Sequence, residues 1–405
     1  MINITPELSN ELGNIFMLLS QNLDITKTQY NNLVKSYDAV GKYLEADPIF
    51  TPYHPVITPQ GSLRLGTIIQ PINEDDDLDV DLVYRLIEKY PSWTQSYIKQ
   101  GVGNRLKDHE VYKKMLDEEG RRCWTLLYRQ DSVNAKERYH MDILPCVADT
   151  GYVERIQRME SMDFSDDVSK IAIRITDNKM QEYNTSTDKN NWMKSNPDGY
   201  AVWFASRCKN ANETRETIMS TIMPVRTYVA NKSILQRIVQ ILKRHRDIMF
   251  NGDEDKPISI IITTLASKAY QGEINIFEGL SNVIDNMDRY IKVDSNGIYL
   301  IENPVNQEEN FADKWATHPK RKENFFKWLE KLKEDKKAIV SQKGVELRET
   351  FARTFGTDVI GKVFGEITKS HKDNASNGKL KISTTGAIGT IGKTLNAQNT
   401  YFGKE

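Results

Sequence analysis

Three scattered cysteines, Cys123, Cys146 and Cys208, are too few for a disulfide framework or a cysteine-based zinc site. No apolar run approaches the length of a membrane span. Charge of one sign is also missing. Formal net charge is −1, so no global excess marks a binder of long nucleic acid, although a local basic groove is compatible with a neutral average. The chain shows no internal repeat, and Met1-Ile2-Asn3-Ile4 lacks the basic and apolar regions of a leader. These absences lead us to expect a cytoplasmic protein with no membrane association. The 405 residues, 39% apolar and 27% charged, are enough for two or three domains with a substantial core.

Apolar spacing organises the chain. Leu12, Ile15, Phe16 and Leu19, then Leu33, Tyr37, Val40 and Leu44, predict two helices over 5–46, and the prolines of 47–58 interrupt the pattern. Strand-like pieces follow at Ile68–Gln70, Leu78–Tyr84, Cys123–Tyr128, Tyr139–Val147 and Lys170–Ile175, with a helical insert near 105–120 and a loop over 180–198. Helices are expected to fill most of 199–365. The clearest runs from Lys232 to Phe250, with an apolar stripe of Ile234, Leu235, Ile238, Ile241, Leu242, His245 and Met249. Another is expected near Pro257. The small, polar residues after Thr368 read as a flexible tail, ending in the aromatic Tyr401-Phe402-Gly403 before Lys404 and Glu405.

Chemistry concentrates in Gly61-Ser62-Leu63-Arg64-Leu65-Gly66-Thr67 and Asp79-Val80-Asp81-Leu82-Val83. A Gly-Ser turn offers backbone N–H groups and a hydroxyl, which suit phosphate. Residues i and i+2 of a strand share a face, so Asp79 and Asp81 stand side by side at a spacing that can grip divalent metal. Asp77 has the same parity, so alternation leaves open which two bind; the apolar run favours Asp79 and Asp81. Two-metal chemistry calls for a third acid on a neighbouring strand. Asp142, inside Tyr139-His140-Met141-Asp142-Ile143, is the candidate, because a lone carboxylate in an apolar strand is costly without a role. An i,i+2 acidic pair alone is common on solvated strands, and His140 alone is more often packed than a ligand. In combination these residues point to metal-assisted nucleotide transfer.

The order Gly-Ser, Asp-x-Asp, distant Asp resembles the polymerase-β-like nucleotidyltransferases. Gln60–Thr67 and Leu78–Val83, together with Asn196-Pro197-Asp198-Gly199-Tyr200, Gln240–Asp247, Lys256–Thr264 and Asn303–Trp315, resemble the bacterial CD-NTase family over roughly residues 10–365. The resemblance implies an α+β, two-lobed fold, with a mixed-sheet catalytic lobe and a helical lobe. The corresponding division is N-terminal helices over 1–58, a catalytic core over 59–198, a helical lobe over 199–365 and a tail over 366–405. It also implies joining of nucleoside triphosphates into a cyclic oligonucleotide second messenger of anti-phage signalling, which acts on a separate effector protein. Two magnesium ions, replaceable by manganese, are expected on Asp79, Asp81 and Asp142. By position, Asp142 resembles the acid that helps activate the attacking hydroxyl. Gly61 and Ser62 resemble the donor triphosphate turn, and Lys243 and Ser259 match helical-lobe positions that contact donor phosphates. From the residues alone, Lys243 reads equally as one of several solvated cations beside Arg237, Arg244 and Arg246, and Ser259 as a helix cap. Trp203 and Phe204 suit base stacking or a core. The acidic loop between Gly61-Ser62 and Asp79 is longer than in minimal relatives. Some family members are attached to other proteins by ubiquitin-like conjugation machinery, which the aromatic C-terminus would suit. Two other readings are a template-free synthase of linear oligonucleotides or an RNA-tailing enzyme, and a catalytically inactive nucleotide sensor.

Overall fold

The computed structural model describes residues 4–72, 78–130, 138–151, 171–208 and 231–376, and short strands at 381–382, 388–389 and 394–395. Asp77 and Tyr401-Phe402-Gly403 lie outside the described residues.

A six-stranded mixed sheet carries the acids. Its strands are β1 (Pro55–Gln60), β2 (Leu78–Leu86), β3 (Trp124–Tyr128), β4 (Tyr139–Ala148), β5 (Ile173–Ile175) and β6 (Met193–Ser195). The order is β1-β2-β4-β5-β6; β2 and β4 run parallel, and the other pairings are antiparallel. One edge of β4 is shared, with β3 along its first half and β5 along its last residues.

Two-residue alternation divides the sheet into two faces. Leu78, Val80, Leu82, Tyr84 and Leu86 of β2 join Met141 and Ile143 of β4 in a buried core. Helices α2 (Lys27–Glu45) and α4 (Gln95–Lys107) cover that core through Leu33, Tyr37, Val40, Leu44, Ile98 and Val102. The opposite face begins with Asp79 and Asp81 and ends over a small apolar cluster containing Val83, Leu144 and Cys146.

A second, larger core is helical. Helix α1 (Pro6–Asn22) belongs to it, with Phe16 ring-packed at 6.1 Å from Phe277 and 5.1 Å from Phe351. The two N-terminal helices thus serve different lobes: α1 packs in the helical core and α2 against the sheet. Truncating Phe16 to Ala would cost about 3–5 kcal/mol, the usual range for a buried aromatic.

Several expected boundaries move. Limits at 58, 198 and 365 each fall inside an element: β1, the helix Pro197–Arg207 and the helix Thr357–Ser376. The helical pattern stops at Glu45 as the prolines of 47–58 predict, Pro55 opens a strand, and Pro197 occupies the first helical turn behind its Asn196 cap. The apolar turn-to-turn repeat of Val359, Val363 and Ile367 continues helix into the expected tail. The expected loop over 180–198 contains β6. The insert near 105–120 is α4 and a short helix, Glu110–Met115.

Ile68–Gln70 is not a strand. Its carbonyls, with those of Leu65 and Thr67, are taken by side chains of the helix Ile234–Met249. Gln236 donates to Leu65 O at 2.8 Å and Gln240 to Ile68 O at 2.9 Å. Lys243 donates to Thr67 O at 3.1 Å and Arg244 to Gln70 O at 2.7 Å. Positions 236, 240, 243 and 244 lie on one helix face. That polar face is therefore buried against irregular backbone.

Candidate active site

The acids are brought together by strand register. Asp81 of β2 is directly opposite Asp142 of β4, and Asp79 is opposite His140. Paired residues of neighbouring strands point to the same side, so all four share one face of the sheet. Thr125 of β3, opposite Asp142, donates its hydroxyl to Asp142 Oδ1 at 2.5 Å.

Gly61 follows β1 and starts the short helix α3 (Gly61–Leu65). Its φ is +60°, and a Cβ there would lie 2.2 Å from Asp81 Oδ2. Both facts require glycine. The turn backbone is thereby pressed against the metal-binding candidate, and Gln60 places no side-chain cap on the first N–H groups of α3.

A cleft of about 770 Å³ separates the sheet from the helical lobe. Gly61, Ser62, Asp79, Asp81, Lys243 and Ser259 all line it. Asp142 is not in this lining; it is half-buried behind Asp81 on the Thr125 hydroxyl. Lys243 is buried rather than solvated, and so are Arg237, Arg244 and Arg246. Ser259 opens the helix Ser259–Ala269, and its Oγ accepts from Arg246 Nη1 at 2.8 Å; Ile258, not Ser259, holds the cap position.

Charge in the cleft is poorly compensated by the protein itself. Burial, with Asp142 and Asp79 nearby, pushes Asp81 up to about 6. Asp79 is raised by burial and by Asp142, against the lowering effect of His140, Lys243 and Lys256. Lys243 is pushed down to about 8, chiefly by burial and then by Arg246, while Asp247, Asp79 and Asp81 act the other way. An anion spanning Lys243 and cations beside the aspartates would relieve both imbalances.

Among the described residues, no three His, Cys, Asp or Glu side chains are gathered tightly enough to hold an ion unaided. The donor set still fits a hard divalent cation: Asp79, Asp81 and Asp142 offer only oxygen, on one face, with mutual repulsion that a cation removes. Magnesium uses few carboxylates and completes its shell with phosphate oxygens and water.

Sequence reasoning missed several cleft residues, including Arg138, Arg246, Asp247 and Lys256. It also missed the buried Asp198, which receives Arg64 from α3 and Arg85 from β2. No helix of the described residues is long and apolar enough to cross a membrane.

Residues 11–166 match the SMODS family model, the Second Messenger Oligonucleotide or Dinucleotide Synthetase domain. A c-di-GMP synthase of Roseivirga ehrenbergii is 28% identical over 410 residues, covering 99% of each chain. The chain is thus similar, over residues 11–166, to second-messenger oligonucleotide and dinucleotide synthetases. The CdnG CD-NTase of Bradyrhizobium diazoefficiens, solved with GTP, shares the fold at a TM-score of 0.62 and 17% identity, covering 88% of this chain and 99% of its own. The DncV cyclic AMP-GMP synthase of Vibrio cholerae, solved with the linear intermediate 5′ pppA(3′,5′)pG, follows at a TM-score of 0.52 and 15% identity, covering 88% of this chain and 91% of its own. The fold is accordingly α+β and shared with these solved nucleotide synthases.

Proposed function

We propose that the cleft joins nucleoside triphosphates into a cyclic oligonucleotide and releases pyrophosphate. The observation that carries this reading is the meeting, across one cleft, of the Gly61-Ser62 turn, the register-matched aspartates and the buried cation Lys243. Gly61 and Ser62 hold the donor triphosphate, and Lys243 and Ser259 engage its phosphates from the helical side. Asp79, Asp81 and Asp142 would hold two magnesium ions, replaceable by manganese, which would supply neutralisation of phosphate charge and favour the ionised acceptor hydroxyl. Asp142, steadied by Thr125, takes the proton of that hydroxyl. The hydroxyl oxygen bonds to the donor α-phosphorus as the bond to pyrophosphate breaks. The linear product then presents its own triphosphate and a second hydroxyl to the same groups, and the ring closes. Rate enhancement comes from positioning and charge neutralisation.

The full-length similarity to a c-di-GMP synthase supports a two-guanine ring as the first product to seek. Such a ring would act as a second messenger read by a separate effector in anti-phage defence inside the cytoplasm. Conjugation through the C-terminus belongs to the same reading, and removal of residues 395–405 tests it.

The deciding experiment incubates the protein with labelled ATP, GTP, CTP and UTP, singly and mixed, with magnesium, followed by mass spectrometry of phosphatase-resistant products. Rings are expected from the native chain and none from Asp79→Asn or Asp142→Ala. Substantial ring from either folded variant overturns the site. Phosphatase-sensitive products alone overturn cyclisation in favour of linear synthesis.

A further inference from the structure

Outside the catalytic cleft, a pocket of about 380 Å³ is lined by Trp203, Arg207, Lys268, Arg289, Tyr290 and Lys292. Four of these six residues are cationic and two are aromatic. The cations are sparsely compensated. Arg207 is held by backbone carbonyls, through Nε to Ser267 O at 2.8 Å and through Nη2 to Tyr270 O. Lys268 Nζ lies 3.2 Å from the carbonyl of Glu302, and Lys292 pairs with the Glu302 carboxylate at 2.7 Å. Arg289 is exposed and has no ion pair or hydrogen bond among the described residues. One carboxylate thus stands against four cations. Burial lowers the Lys268 pKa, with Lys292 acting the same way and Glu302 against it.

Main-chain carbonyls fix Arg207 and Lys268 without neutralising them. A ligand carrying several negative charges would complete the group. Trp203 is half-buried, with its ring 5.3 Å from that of Tyr200, and Tyr290 is half-buried as well, so both offer aromatic surface beside the charges. Base stacking on such rings contributes roughly 1–3 kcal/mol per base. The volume falls in the small-molecule range of about 300–1,000 Å³, too small for a folded partner.

We propose that this pocket is a second nucleotide site, in which Trp203 and Tyr290 receive the base and Arg207, Lys268, Arg289 and Lys292 receive the phosphates. It shares no residue with the catalytic cleft. Two helices nevertheless connect the two. The helix Ser259–Ala269 begins at the cleft with Ser259 and ends near the pocket with Lys268, about 13 Å along its axis. The helix Pro197–Arg207 begins at Asp198, which holds Arg64 and Arg85, and ends at Arg207. An occupied pocket therefore touches the far ends of helices whose near ends border the catalytic residues.

Isothermal titration of the full chain with the imido analogues of GTP and ATP tests the proposal. The comparison is with the double variant Arg289→Glu/Lys292→Glu, which alters two exposed side chains, and with Trp203→Ala. The native chain is expected to bind one equivalent more than the double variant, with the remaining sites unchanged. Trp203→Ala should weaken that extra site at least ten-fold, and inorganic triphosphate should bind there more weakly than either analogue. Equal stoichiometry in native chain and double variant overturns the proposal. So does an extra site that triphosphate fills as tightly as a nucleotide. The count of bound analogue is independent of ring synthesis, so a failure here is distinguishable from a failure of the catalytic reading.

Discussion

Asp198 accepts Arg64 on one carboxylate oxygen and Arg85, at 2.7 Å, on the other. Arg64 lies two residues beyond Ser62, and Arg85 shares the β2 face of Asp79 and Asp81. One buried carboxylate therefore joins the phosphate turn to the acid strand. Removing one partner of a buried pair leaves charge uncompensated and costs about 3–5 kcal/mol. Asp198→Ala should show a loss of that order in urea unfolding. Asp198→Asn should keep more of the stability yet lower kcat more than KM, because the turn and the acids lose registration. An Asp198→Asn variant with native kcat would remove Asp198 from site geometry.

Gly61→Ala is expected to abolish product while leaving the melting temperature within a few degrees. The added methyl has a φ of +60° to adopt and Asp81 Oδ2 2.2 Å away. Local displacement of Asp81 is the expected response, and retained activity would show that the turn and the strand need not touch.

Thr125 reaches the reaction through another residue. Thr125→Val deletes the 2.5 Å hydrogen bond to Asp142 and keeps the shape. Partners of this kind typically account for 10–100-fold in activity or metal affinity. We expect a fall in kcat of about ten-fold with little change in KM. Thr125→Ser should recover most of it.

Binding of triphosphate should take up a proton near pH 8. The free Lys243 amine is held at about 8 by burial and Arg246, so a substantial fraction is neutral there. A polyphosphate favours the charged form and raises that value. Affinity should fall as pH rises through 8, and the calorimetric enthalpy at pH 8 should depend on the ionisation heat of the buffer. Lys243→Met should remove that dependence; a buffer-independent enthalpy in the native chain would place the phosphates elsewhere.

Acid should destabilise the helical lobe through His245, whose Nε2 lies 3.2 Å from Asp335 in the core. Burial lowers the His245 pKa from its ordinary 6.5 despite the hydrogen bond and charge of Asp335. The unfolded chain therefore binds a proton below pH 6.5 that the folded chain refuses, and stability declines as pH falls through that range. The Asp335 pKa is lowered in the folded state by His245 and Lys331, against burial, so its contribution is present above the ordinary value of 3.8 and is lost as pH falls through the folded value. Urea midpoints between pH 8 and 5 should fall in the native chain and flatten in His245→Phe.

The main architectural features were legible wherever one periodicity ruled. The alternation of β2 and β4, with apolar residues on one face and Asp79, Asp81 and Asp142 on the other, needed no knowledge of partners. The stripe of the helix Ile234–Met249 was equally plain. Its other face was not. Arg237, Lys243, Arg244 and Arg246 look solvated in a linear sequence, because burial of a cation depends on acceptors supplied from elsewhere. Here those acceptors include the carbonyls of Thr67 and Gln70 and the Asp24 carboxylate. For the same reason Ile68–Gln70 resembles a strand by composition but is irregular in space. Asp198 stood inside a motif that was noticed, yet its two arginine partners are 134 and 113 residues away, and no local pattern connects them.

The side-chain ties between the helix Ile234–Met249 and the 65–70 backbone also bear on how the two lobes hold together. Gln236, Gln240, Lys243 and Arg244 each hold a carbonyl there, and hydrogen bonds of this kind contribute about 1 kcal/mol apiece. Parting the lobes along that border means breaking all of them together. The stitched border is therefore the side of the cleft on which the two lobes are held as one piece.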